Sequence, residues 1–362
     1  MEREEILLKG LDAVLPHHRA SVGISMGVGK TWLGLKHMES KLTVMSRFLV
    51  VAPKVSIYES WKEIAEKFDM AHILERVSFC TYLSLPKQEL GYTWVYLDEM
   101  HSMLDSQRPW LEAYTGGILG LSGTPPKYAH SEKGKMMNEF CPLVFDYYTD
   151  EAINDNILND YRIIVHPMKL SDKKTIWKTK KDGGGWWTSE KAEYDYWTKR
   201  VYGAISDKDA HISRVMRMKA LMEFQTKLDY AAQLFKEIDE KVILFVDTQD
   251  QADQLCVHSY HSQNPASEEN LEKFKRGEIM KLSCVLQLNE GVNIPGLKQA
   301  IIKHSYGNER KFAQRLGRMV RLNPTDMATM HVLCYVDTAD EQWVTRALSD
   351  FDEDKIKWLD TK

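Results

Sequence analysis

The feature that most limits what this chain can fold into is a series of short apolar runs that do not alternate with polar residues. Phe48-Leu49-Val50-Val51-Ala52, Trp94-Val95-Tyr96-Leu97 and Val242-Ile243-Leu244-Phe245-Val246 are continuous. Strands covered on both faces read this way, whereas a strand with one wet face alternates. Strands are expected at 20–25, 48–52, 77–82, 94–98 and 118–122, and again at 161–166, 242–247, 282–288, 299–303 and 330–336. Helical spacing lies between them at 56–68 and at 221–238, where Leu221, Phe224, Leu228, Ala231, Leu234, Phe235 and Ile238 share a face. Strand–helix alternation means an α/β fold, with parallel sheets covered by helices. It runs twice, which divides the 362 residues into domains at 1–155 and 156–362, the second closing with a helical tail over 339–360.

Between the two series, 167–220 breaks the rhythm and reads as an insertion. Lys173, Lys174, Lys178, Lys180 and Lys181 surround Trp177, and Gly183-Gly184-Gly185 then leads into Trp186-Trp187. The glycines mark a turn. Lysines beside tryptophans combine phosphate attraction with surfaces on which bases stack. A solvated lysine-rich loop beside a packed aromatic helix fits the same residues.

Composition excludes several classes. No apolar stretch approaches the roughly 18 residues that cross a bilayer, and Glu2-Arg3-Glu4-Glu5 does not open a signal peptide. Five scattered cysteines without a CxxC pair fit a reducing cytosol rather than a disulfide scaffold or zinc ribbon. The net charge of −4 means that any nucleic-acid surface is local. His258 and His261 have no carboxylate or cysteine at ligand spacing, and they read as a loop rather than a metal pair.

Three patterns carry chemistry. Ser25-Met26-Gly27-Val28-Gly29-Lys30-Thr31 follows the first strand and opens a helix. Small residues there let backbone N–H groups curl around phosphate, a lysine reaches the β- and γ-phosphates, and a threonine holds Mg²⁺. Ile24 stands where the strict pattern has glycine. Asp98-Glu99 ends the strand at 94–98. Such a pair is often a solvated cap, but 68 residues after a phosphate loop it suits Mg²⁺ binding by Asp98 and polarisation of an attacking water by Glu99. On a helix, Arg318 and Arg321 share a face with Gln314, which fits a solvated basic helix and equally fits paired guanidiniums that meet a γ-phosphate presented by another domain.

Taken together and in order, these segments resemble a superfamily-two DExH-box helicase or translocase. The likeness covers roughly 20–150 and 220–340 and includes Leu49 to Lys54, Asp98 to His101, Leu121 to Pro125, Leu288 to Pro295 and Gln314 to Arg321. Pro53 with Trp61 eight positions on, and Leu121-Ser122-Gly123-Thr124-Pro125, are most similar to Swi/Snf-type members. Glu290 to Pro295 is more similar to phage UvsW-type members. The resemblance implies two tandem RecA-like domains, with ATP and Mg²⁺ bound where they meet. Gly27, Val28, Gly29, Lys30, Thr31 and Gly291 would contact ATP, and Thr31 and Asp98 would hold the metal. Lys30, Asp98, Glu99, Gln314, Arg318 and Arg321 would be catalytic, and His101, Ser122 and Thr124 would couple the ATP site to the nucleic-acid track. That track would touch Pro53, Lys54, Thr81, Tyr82, Asn289 and Asn293, with Lys178, Lys180, Lys181, Trp177 and Trp186 added from the insertion. The resemblance favours DNA over RNA, a monomer and a cytoplasmic location, the host cytoplasm if the chain is phage-encoded. An RNA helicase, or a nucleotide-switched clamp that does not translocate, fits the same motifs.

Overall fold

The computed structural model describes residues 2–126, 129–180, 183–285, 294–305, 326–349 and 351–361. The chain divides into two compact units, the first reaching Asp160 and the second starting at Tyr161. No helix among the described residues is long and apolar enough to cross a membrane.

The first unit contains β1 (Arg19–Ile24), β2 (Phe48–Ala52), β3 (Val77–Thr81), β4 (Trp94–Asp98), β5 (Gly117–Ser122) and β6 (Leu143–Tyr147). They form a sheet in the order β3-β2-β4-β5-β1-β6, and every neighbouring pair is parallel. All residues of β2 and β5 are buried, as their unbroken apolar sequences require. The helices include α1 (Arg3–Val14), α2 (Lys30–Ser40), α3 (Ser56–Lys67), α4 (Arg108–Ala113), α5 (Glu132–Phe140) and α6 (Thr149–Asn154). This order places the carboxyl ends of β4, β5 and β1 side by side, and ligands of open α/β sheets bind at such ends. β6 was not expected, because an edge strand with mostly half-buried residues lacks the unbroken apolar signal.

The second unit opens with β7 (Asp160–Met168) and a hairpin of β8 (Lys174–Thr179) and β9 (Gly185–Ser189). Then come α7 (Glu190–Tyr202), α8 (Asp207–Glu223), α9 (Gln225–Glu237), β10 (Val242–Val246), α10 (Gln249–Leu255), β11 (Ser259–Tyr260), α11 (Ser267–Arg276), β12 (Lys281–Val285), β13 (Gln299–Ile302), β14 (Met327–Tyr335), α12 (Ala339–Leu348) and β15 (Ile356–Trp358). The main sheet runs β11-β12-β10-β13-β14-β7-β15.

Two expectations are corrected here. The helix expected over 221–238 is two helices, because Phe224 is extended (φ −60°, ψ 130°) and turns its ring into the core against Tyr335. Buried Glu190 supports the break by accepting the Thr226 N–H in the first turn of α9. The tail expected to be helical over 339–360 is α-helical only to Leu348, with one 3-10 turn at Glu353–Lys355. Its end is β15, which pairs in parallel with Ile163–Val165 of β7 and completes the sheet edge.

His37 of α2 lies fully buried, with Nδ1 3.0 Å from the Tyr96 hydroxyl. Burial, with a smaller push from Lys41, lowers its pKa from 6.5 to about 3. Above pH 6.5 the imidazole is neutral both folded and unfolded. As pH falls from 6.5 towards 3, the unfolded chain takes the proton first, so stability declines across that window. Denaturant unfolding at pH 7 and pH 5 should show a loss of order 2 kcal/mol that His37→Gln reduces. Equal losses in both proteins would rule out His37 as the source.

Candidate functional site at the carboxyl edge of the first sheet

The turn after β1 is built for close approach. Gly27 and Gly29 have φ of 85° and 134°, values that residues with a Cβ rarely adopt. A Cβ on Gly29 would also lie 2.8 Å from the Arg3 guanidinium and 2.9 Å from Leu7 of α1. Helix α1 braces the turn from behind, with Arg3 Nε donating to the Val28 carbonyl. Ser25 fixes the other side through its N–H to the Tyr147 carbonyl (2.9 Å) and its hydroxyl to Thr149 (2.8 Å). Gly29 caps α2, so no capping side chain occupies the N–H groups of its first turn, and Lys30 and Thr31 begin that turn half-buried. The Lys30 ammonium reaches Gly123 after β5, where a Cβ would stand 3.1 Å from Nζ.

Asp98 and Glu99 lie at the end of β4, 6% and 8% exposed. Asp98 Oδ2 accepts the indole N–H of Trp61 at 2.8 Å, and Oδ1 accepts the Glu99 backbone N–H at 2.9 Å. Glu99 is left-handed (φ 47°, ψ 53°), a conformation that costs a residue with a side chain about 1–3 kcal/mol. His101 Nδ1 is 2.9 Å from the Ser122 hydroxyl and 3.4 Å from Glu99 Oε2. Ser122 Oγ also accepts the Thr124 N–H at 3.1 Å. The Thr124 hydroxyl is shielded from water and has no hydrogen-bond partner among the described residues. The structure thus gathers Gly27, Val28, Gly29, Lys30, Thr31, Asp98, Glu99, His101, Ser122 and Thr124 along adjoining strand ends. An uncapped helix start, a lysine, a hydroxyl and a carboxylate are a donor set that fits nucleotide phosphates with Mg²⁺.

Other expected residues fare differently. Pro53 and Lys54 follow β2 and are half-buried, and Thr81 ends β3 with its hydroxyl 3.1 Å from Ser84. Tyr82, expected to touch nucleic acid, is instead buried. Its hydroxyl donates to the Asp98 carbonyl at 2.9 Å, and burial beside Asp98 raises its pKa well above the usual value. Lys178, Lys180, Trp177 and Trp186 lie on or beside the β8–β9 hairpin. Gly291, Asn289, Asn293, Gln314, Arg318, Arg321 and Lys181 lie outside the described residues.

His261 does face a carboxylate, Asp253, with Nε2 2.8 Å from Oδ1, and Ser259-Tyr260 form β11 rather than a loop. Among the described residues, no group of three or more His, Cys, Asp or Glu is placed to hold a metal. Sequence reasoning missed the bracing by Arg3 and the contact from Trp61 to Asp98. The position of Trp61 was visible in the sequence, but its partner was not.

Residues 226–323 match the family model of the helicase conserved C-terminal domain. The chain is 25% identical over 355 residues to the DNA 3'-5' translocase XPB2 of Sulfurisphaera tokodaii, covering 89% of this chain and 79% of that protein. Among solved structures, it is similar to the ATP-dependent Type ISP restriction-modification enzyme LlaBIII bound to DNA (TM-score 0.62, 13% identity). That likeness takes in 98% of this chain but only 31% of the larger enzyme. It is also similar to Dbp5 of S. cerevisiae bound to RNA and ADP BeF3 (TM-score 0.61, 14% identity, 98% of this chain and 89% of that one). The fold is that of tandem RecA-like helicase domains.

Trp61→Phe keeps an aromatic ring against Gly34, where a Cβ would lie 2.6 Å from the indole, but removes the donor to buried Asp98. A lost hydrogen bond to a buried charged group costs about 1.5–3 kcal/mol. Denaturant unfolding should show that loss, and an unchanged midpoint would mean that the contact contributes little.

Proposed function

We propose that this chain is an ATP-dependent translocase or helicase acting on DNA, with duplex or branched DNA as its track. The observation that carries the reading is the convergence of the Gly27–Lys30 turn, the Asp98-Glu99 pair and Ser122 on neighbouring parallel strand ends. The relative that matches most of the chain is a DNA 3'-5' translocase, which favours DNA over RNA.

In this reading the N–H groups of Gly27 to Thr31 and the Lys30 ammonium bind the β- and γ-phosphates. Thr31 and Asp98 would hold Mg²⁺, which would supply positive charge to the phosphate oxygens. Glu99 accepts the proton of the attacking water. Its left-handed backbone sets where the carboxylate stands, and His101 at 3.4 Å steadies it. The contact from His101 to Ser122, and from Ser122 on to the Thr124 N–H, links that carboxylate to the segment after β5. This is a physical route by which nucleotide state can reach the nucleic-acid track. Gln314, Arg318 and Arg321 stabilise charge on the transferred phosphoryl group, and Gly291 contacts ATP. Pro53, Lys54, Thr81, Asn289 and Asn293 meet the nucleic-acid backbone. The chain acts as a monomer in the cytoplasm.

Steady-state ATP hydrolysis should be measured without nucleic acid and with single-stranded, duplex and forked DNA and RNA, at two salt concentrations. Duplex or forked DNA should stimulate most, and less so at high salt. Stimulation by RNA alone would replace the substrate, and no stimulation would favour a nucleotide-switched clamp. Lys30→Ala should abolish hydrolysis. Glu99→Gln should retain ATP binding while turnover falls about 10²–10⁴-fold. Normal turnover in Glu99→Gln would remove Glu99 from the role of base.

A further inference from the structure

The β8–β9 hairpin has two unlike faces. On one, Ile176 packs against the core cluster that includes Met168 and Tyr194, Thr188 is buried, and Lys178 Nζ pairs with Glu193 of α7 at 2.9 Å. That face holds the hairpin to its own domain. Strand geometry sends alternate residues to the opposite face, and there Trp177 stands directly across from Trp187. Their ring centroids are 5.3 Å apart at 62°, and the two indoles are 50% and 56% exposed.

Gly185 makes room for this arrangement. A Cβ there would lie 2.4 Å from the Trp177 ring, so the indole leans onto bare backbone. A cross-strand aromatic pair helps to stabilise a hairpin. Anchoring, however, is already supplied on the α7 face, and about half of each outward indole remains available. Lys173, Lys174 and Lys180 of the same hairpin region are exposed, and Asp172 is drawn towards Lys191 (3.8 Å).

We infer that Trp177 and Trp187 form a stacking platform for the unpaired bases of a single nucleic-acid strand, with the positive charge of the exposed lysines in the same hairpin region drawing the strand in. This rests on the nucleic-acid reading above and narrows it in two ways. It places the base contact on single-stranded rather than duplex substrate, and it replaces Trp186, which shares the α7-facing side with Lys178, by Trp187. Aromatic platforms combined with cations suit unpaired bases, because every base presents a π-face and stacking tolerates sequence.

The test uses the full chain without nucleotide, so it does not depend on hydrolysis. Fluorescence anisotropy would follow binding of labelled oligothymidylate, oligouridylate and an abasic sugar–phosphate strand, each about 15 nucleotides long. Trp177→Leu/Trp187→Leu should weaken both base-bearing strands about tenfold or more and leave the abasic strand unchanged. Trp177→Phe/Trp187→Phe should retain most of the affinity. A loss confined to one of the two base-bearing strands would support the platform and identify its substrate as DNA or RNA.

Unchanged affinity in the Leu variant, equal loss on the abasic strand, or no binding of base-bearing strands by the wild type would overturn the inference. Base-dependent loss in a chain whose hydrolysis ignores nucleic acid would support the platform while defeating the translocase reading. Nucleic-acid-stimulated hydrolysis without base-dependent loss would do the reverse.

Discussion

The hydrogen bond from the Trp61 indole to the Asp98 carboxylate is the interaction on which the rest of the first domain's site depends. A carboxylate exposed to only 6% needs partners, because desolvating a charge without them is costly. Trp61 supplies one from α3 while its ring fills the space that Gly34 of α2 leaves open. Tyr82 holds the Asp98 carbonyl from the segment after β3. Three separate stretches of sequence are therefore fixed against the end of one strand. The Glu99 N–H completes the set by donating to the same carboxylate, so the placement of one acidic residue orients the next.

The second domain solves a related problem with buried ion pairs. Lys227 of α9 pairs with Asp340 of α12, and Lys303 after β13 pairs with Asp247 after β10, all nearly inaccessible to water. Burial alone would raise the Asp340 pKa, but Lys227 and His304 hold it below the ordinary carboxylate range. Lys303 shows the opposite balance, with desolvation outweighing Asp247 and lowering its pKa. Removing one member of such a pair strands its partner in a medium that cannot solvate it, whereas replacing both with apolar groups is often neutral. The pairs are therefore costly to break singly, while their presence by itself says little about net stability.

The sequence showed the central strands because burial on both faces leaves an unbroken apolar signature. Phe48–Ala52 and Trp94–Asp98 appear in the structure with the expected bounds. Elements at the margins were harder to read. β6 is half-exposed, β8 and β9 are rich in lysine and tryptophan, and β15 has three residues. For β6 and β15, pairing partners far along the chain decide the conformation, and local pattern carries little of that information. In the site, the phosphate turn and the carboxylate pair were legible because their chemistry demands particular residues at fixed spacing. Tyr82 was misread for the opposite reason. A tyrosine after a strand looks the same whether its hydroxyl faces solvent or a buried carbonyl.

The left-handed backbone of Glu99 sets chemistry against folding at one position. Asparagine and glycine reach that conformation more cheaply than glutamate does. Selection for thermal stability alone would therefore favour replacing the residue that the proposed reaction needs as its base. A chain that keeps glutamate there accepts backbone strain in return for a carboxylate in a set place, and stabilised variants recovered without an activity screen should be checked at this position first.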